Sequence, residues 1–162
     1  QAFLGIKDIR SIVVAILHDS VEDAQEGGTH PVVMAGRVFF HLDANTLLDV
    51  SVLTRRRQLG ETREEFCERI YDSNRWRPLV VKFKDRPDNM DTLECITDYE
   101  KQKKKVLETE RWFPNYRDRL FDLLEKEVAL GRVSPAYLHL PALLYDDLME
   151  SVKREKARLG MT

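Results

Sequence analysis

His18 and Glu22 stand four residues apart, and so do Asp19 and Asp23. On an α-helix, residues four apart share a face. An imidazole and three carboxylates therefore fall on two adjacent faces at one helix end. The residues just before them, Val13 to Leu17, are apolar, and their burial puts the polar group at the rim of a core. Such a set suits a divalent metal, because a neutral imidazole nitrogen and a carboxylate oxygen are good ligands for manganese, iron or zinc. A metal lowers the pKa of a bound water, and a further carboxylate can orient that water or take its proton. Phosphorus chemistry also needs cations around phosphate oxygens, and Arg55, Arg56, Arg57, Lys82 and Arg86 are candidates. The competing reading is a solvated acidic helix end, and spacing alone leaves both open.

The elements that must position these groups read as helices. Ile6, Ile9, Val13, Ile16 and Leu17 recur at helical spacing, which predicts a helix over 5–23. A turn follows at 25–30, and Pro31 suits the first position of the next helix. Residues 31–41 and 44–56 read as two short helices broken near 42–45. Thr62 and Glu65 form a capping box that opens a helix to about Ser73. In 76–84, Leu79, Val81 and Phe83 alternate like a strand, but the run is short and has no partner strand, so it reads as a buried helix start. That helix is expected to continue to Asp98. Residues 99–113 form a polar helix, Pro114 interrupts, and 116–130 form another, stopped by Gly131. Ser134 and Pro135 make a cap and first-turn pair, and Pro141 separates a last helix reaching about Leu159.

The chain has 162 residues, 43% apolar and 33% charged, which fits one folded domain rather than a disordered segment. Seven glycines and six prolines favour long helices over a loop-rich β fold. A net charge of −2 gives no global pull toward nucleic acid or an anionic membrane. Cys67 and Cys95 form no C-x-x-C pair, so neither a zinc ribbon nor a disulfide scaffold is indicated, and a reducing cytoplasmic compartment is the default. No apolar run is long enough to span a bilayer. The N-terminus has no signal-peptide pattern.

Two stretches carry a resemblance. Val14 to Asp23, VAILHDSVED, resembles the His-Asp-x-x-Glu-Asp helix of the RelA/SpoT alarmone hydrolases, and Leu79 to Leu93, LVVKFKDRPDNMDTL, resembles their second HD-domain signature. Between them, LTRRR at 53–57 and GETREEFCERI at 60–70 resemble the linking segment of small stand-alone members. The matches occur in family order and cover about residues 12–113. The resemblance implies an all-α, HD-domain helical bundle over 1–162, with one or more N-terminal family helices falling before Gln1 and 114–162 as a C-terminal helical extension. It implies manganese held by His18, Asp19 and Asp85, with Glu22 and Asp23 positioning or activating the attacking water. Arg55, Lys82, Arg86, Asn89 and Thr92 then serve the nucleotide, and Leu93 could wall its pocket. The implied reaction is hydrolysis of the 3′-diphosphate of guanosine tetra- or pentaphosphate. Animal members are also linked to removing the 2′-phosphate of NADPH. A non-catalytic HD-fold regulatory or binding domain is the alternative.

Two departures from the family pattern matter. Its first metal-binding His falls upstream of Gln1, so it is not among these residues. Pro87 stands where the family usually has Leu, and proline disfavours helix at the residue before it, so a bend at Arg86 is expected. His30, His41 and His139 have no spaced partners and read as structural or solvated. Lys101, Lys103, Lys104 and Lys105 lie among Glu100, Glu108 and Glu110, a solvated helix face rather than a nucleic-acid patch. Trp76 and Trp112 read as core edges, and the run Arg55 to Arg57 suits a helix C-terminus.

Overall fold

The computed structural model describes residues 10–17 and 43–161. The fold is all-α, and no strand occurs among the described residues. The chain divides into two compact units, Gln1–Val81 and Lys82–Thr162, and the division falls inside one helix.

In the first unit, residues 10–17 form helix α1. Val14 is fully buried while Ile16 is 64% exposed, so the expected burial of the whole Val13–Leu17 run does not hold. Residues two apart on a helix do not share a face. Helix α2, Ala44–Leu53, is capped by Asp43, whose carboxylate accepts from the Asn45 and Thr46 amides at 3.0 and 3.2 Å. It ends at Leu53, short of the expected 56, and a 3-10 turn at Arg57–Leu59 follows, closed by Gly60 in the left-handed region at φ 75°. Helix α3, Arg63–Asp72, opens on the expected capping box: Glu65 N donates to Thr62 Oγ1 at 3.2 Å, and Thr62 N donates to Glu65 Oε2 at 2.7 Å.

Two arginines of α3 and its exit secure α2. Arg69 donates to the Ser51, Val52 and Thr54 carbonyls at 3.0, 2.9 and 3.0 Å, and to both Glu61 oxygens at 2.6 and 3.0 Å. It thereby meets carbonyls at the α2 C-terminus that lack helical donors. The arginine run was expected to suit that role. Arg55 instead donates twice to the Glu61 carbonyl, at 3.1 and 2.9 Å. Burial opposes the charge on Glu61, but the Arg69 guanidinium and the Arg56 amide outweigh it and hold the carboxyl below its ordinary range.

Arg75 secures the other end of α2. It donates to the Asp49 carboxylate and, at 2.8 Å, to the Asn45 carbonyl. Asp49 is 1% exposed, and its Oδ2 has no hydrogen-bond partner among the described residues. Burial pushes the Asp49 carboxyl up from its ordinary value, against the pull of Arg75.

Helix α4, Trp76–Asp91, runs from the first unit into the second and settles the strand-like stretch 76–84 as helix. It stops at Asp91 rather than Asp98. A 3-10 turn at Leu93–Cys95 follows, and Asp98 instead caps helix α5, Tyr99–Ala129, by accepting from the Lys101 amide at 3.1 Å. Helix α5 is continuous through Pro114, so the expected interruption is absent. Proline inside a helix costs about 3 kcal/mol, and here Val106, Phe113, Tyr116, Leu120 and Leu124 lie buried along one face on both sides of it. Ser134 caps the turn Pro135–His139, accepting from the Ala136 amide at 3.4 Å, and helix α6, Leu140–Arg158, completes the unit.

Helices α5 and α6 pack antiparallel. Arg117 covers the Tyr145 ring at 4.8 Å, Lys156 pairs with Glu110 at 2.9 Å and Arg158 donates to Gln102 at 2.6 Å, so partners climb one helix while descending the other. Leu144, Leu148 and Val152 supply the buried stripe of α6.

Arg75→Met leaves the Asp49 charge buried without its cation and is expected to cost about 3–5 kcal/mol at neutral pH. A carboxyl whose folded pKa lies above its unfolded value of 3.8 binds protons more readily when folded. Stability from this group is therefore greatest at low pH and declines as pH rises through that window. Thermal unfolding of both proteins at pH 4 and pH 7 checks it: the deficit of the variant should shrink at pH 4.

Candidate functional site

Asp85 sits on α4, and the helix separates its side chains cleanly. Leu79, Phe83, Arg86 and Met90 follow one another at helical spacing and are all buried. Lys82, Asp85 and Asn89 border that stripe and are partly exposed. Lys82 Nζ stands 3.7 Å from Asp85 Oδ2, with the two side chains 17% and 26% exposed. One helical turn on, the Asn89 side-chain amide donates to the Asp85 carbonyl at 3.0 Å. Thr92 is exposed and donates to the Asp88 carbonyl at 3.0 Å. Leu93, the possible pocket wall, is fully buried.

Arg86 borders Lys82 and Asn89 on the helix but is buried where they are partly exposed. It is 4% exposed, donates from Nε to Thr109 Oγ1 at 2.7 Å and from a terminal nitrogen to the Lys105 carbonyl at 2.8 Å, and lies 5.9 Å from the Phe113 ring centre. Phe83 meets the same ring edge-on at 5.0 Å. Arg86 occupies a position in the stripe Leu79, Phe83, Met90, and that periodicity was the sequence signal for its burial. The chain remains helical through Pro87 to Asp91. Phe83 and Arg86, just before the proline, both pack against α5, which helps keep the helix continuous there. Pro87 has no N–H, so the Phe83 carbonyl loses its ordinary helical donor.

His18, Asp19, Glu22 and Asp23 lie outside the described residues, as do His30 and His41. His139 is exposed at the end of the 135–139 turn. Among the described residues no three His, Cys, Asp or Glu side chains gather as a metal site. Asp85 offers a hard oxygen donor that solvent still reaches, which suits manganese or magnesium better than a soft metal. Arg55 belongs to the first unit, tied to Glu61.

The first unit also has an open groove of about 650 Å³, which the sequence did not announce. Its lining includes Leu48, Val52, Glu65, Arg69, Asp72 and Arg75, so it mixes apolar carbon with charges of both signs. Two smaller readings stand as expected. Lys101 and Lys103 pair with Asp98 and Glu100 at 3.4 and 3.5 Å, as a solvated helix face should. Trp76 is 6% exposed and covered by Arg77 at 4.3 Å, while Trp112 is half-buried beside Tyr116 at 6.1 Å.

No family model matches the chain, and no curated protein or solved structure matches it either. No helix among the described residues is long and apolar enough to cross a membrane.

Arg86→Lys should destabilise the protein by about 1–3 kcal/mol, since an ammonium cannot reproduce the planar fork and leaves a buried polar partner unmet. Denaturant unfolding of the variant checks this. A change below about 0.5 kcal/mol, the level of an ordinary surface substitution, would remove Arg86 as the anchor of α4.

Proposed function

We propose that the chain is an HD-domain phosphohydrolase of the RelA/SpoT type, acting on the 3′-diphosphate of guanosine tetra- or pentaphosphate. The observation that carries the reading is the pair of motifs in family order, HDSVED at 18–23 and KFKDRPDN at 82–89. The all-α fold is compatible with it. So is α4, where Asp85 keeps a partly exposed carboxylate beside the Lys82 ammonium.

In this reading His18, Asp19 and Asp85 would hold one manganese ion. The ion, when bound, makes a water acidic enough to serve as nucleophile near neutral pH. Glu22 and Asp23 orient that water and take its proton. Water oxygen bonds to the nearer phosphorus as the bond from that phosphorus to the 3′ oxygen breaks, and the proton taken from the water passes to the 3′ oxygen, giving diphosphate and guanosine di- or triphosphate. Lys82 and Arg55 supply positive charge for phosphate oxygens, and Asn89 and Thr92 offer polar groups to the nucleotide. Arg86, a candidate for phosphate by its charge, acts as a positioning residue, since its guanidinium bonds to Thr109 and the Lys105 carbonyl. The substrate is a small nucleotide, and the reading requires neither nucleic acid nor a membrane. A cytoplasmic setting accords with two cysteines that are both free thiols.

Manganese-supplemented turnover of guanosine tetraphosphate and NADPH, measured side by side, tests the proposal. Diphosphate release from the first is expected. Phosphate release from NADPH alone would keep the chemistry and change the substrate. Metal binding with no turnover of either would favour the non-catalytic alternative. Glu22→Gln and Asp23→Asn should each keep the metal and lose about a hundred- to ten-thousand-fold in rate. Wild-type rates in both would overturn their assignment.

A further inference from the structure

Helices α2 and α3 wall the open groove of about 650 Å³ in the first unit. On the α2 side its lining is Leu48 and Val52, four residues apart and so on one face. Leu48 is 53% exposed, although the neighbouring Val50 and Leu53 are buried. On the α3 side Glu65, Glu68 and Asp72 follow at spacings of three and four, which sets them in one line along the helix. All three are exposed, and no cation among the described residues pairs with Glu68 or Asp72.

The arginines along the groove leave that charge largely unanswered. Arg69 is spent on Glu61 and three carbonyls, and Arg75 on Asp49 and Asn45. Arg56 is exposed, but it lies beyond the end of α2. The groove thus sets an exposed aliphatic strip against a mainly acidic wall. Both walls are helices, whose backbone groups bond within themselves, so a partner strand would find no row of amides and carbonyls to pair with. The acidic line from Glu65 to Asp72 rises about 10 Å, two helical turns.

We propose that the α2–α3 groove docks an amphipathic helix of a partner protein, its aliphatic residues seated on Leu48 and Val52 and its lysine or arginine side chains facing Glu68 and Asp72. Aliphatic residues at i and i+4 match the spacing of Leu48 and Val52, and cations beside them match the acidic line. The apolar contact takes Leu48 out of water and supplies the affinity. The charges supply orientation and speed of encounter. The inference is independent of the phosphohydrolase reading, which uses none of these residues.

Fluorescence anisotropy of the full chain with a labelled helical peptide of roughly four turns, leucines on one face and lysines beside them, tests it. The same peptide with glutamates for lysines is the control. Circular dichroism should first show unchanged helix content in each variant. Saturable one-to-one binding of the lysine peptide is expected, weakened by salt. Combined Glu68→Lys and Asp72→Lys should weaken it about tenfold or more, and Leu48→Ala about three- to tenfold. Combined Asp122→Lys and Glu125→Lys, the same charge change on the exposed surface of α5, should leave it unchanged. Equal weakening by the α5 changes, undiminished binding in the groove variants, or equal binding of the glutamate peptide overturns the proposal. Light scattering supplies the other occupant: a dimer of the unliganded chain that Leu48→Ala dissociates would assign the groove to a second copy and overturn it as well.

Discussion

Arg86 carries a charge that cannot be discharged at physiological pH into a place that water scarcely reaches. Its hydrogen bonds to Thr109 and the Lys105 carbonyl, and the Phe113 ring nearby, are what make that position tolerable. Because the guanidinium is rigid and bonds to Thr109 and the Lys105 carbonyl of α5, it ties the second-unit half of α4 to that helix. Phe83, one turn earlier on the same stripe, closes on Phe113 and reinforces the setting. On the adjoining flank of the helix, Lys82, Asp85 and Asn89 stay partly exposed as a polar face. A proline immediately after Arg86 is accommodated because the anchoring contacts precede it.

The first unit relies on the same chemical device used differently. Arg69 joins a carboxylate and three carbonyls, so one side chain closes the C-terminus of α2 and the connection to α3. Arg75 neutralises a carboxylate that is almost wholly buried. Burying such a pair is seldom a gain over apolar packing, but removing one partner is costly. Both arginines therefore act as constraints on geometry more than as sources of net stability.

Much of the helix pattern was legible because local signals and tertiary packing agree there. The box of Thr62 and Glu65, the cap at Ser134 with Pro135, and the last helix beyond Pro141 all appear where the chain announces them. Pro114 misled because a proline states only its local cost, while the side chains that outweigh it come from distant residues. The end of α4 was misplaced because Asp98 reads equally well as a helix residue or as the cap it is. Arg86 was read as a phosphate ligand from its charge, although its place in an apolar stripe pointed inward. The partners of Arg69 and Arg75 could not be paired from spacing, since α2 and α3 meet only in the fold.

For the candidate site, residue types and motif order were the informative features, and α4 gives one of the implied ligands a physical setting. Asp85 is partly exposed, stands beside Lys82 and sits next to Arg86, which bonds to α5. The account therefore stands or falls on whether that carboxylate and the His18–Asp19 pair serve one ion. Elemental analysis of purified wild type, Asp85→Ala and His18→Ala, equilibrated with the same manganese buffer, tests this most directly. The account predicts one equivalent in wild type and a marked loss in both variants. Equal metal content in all three proteins would contradict it.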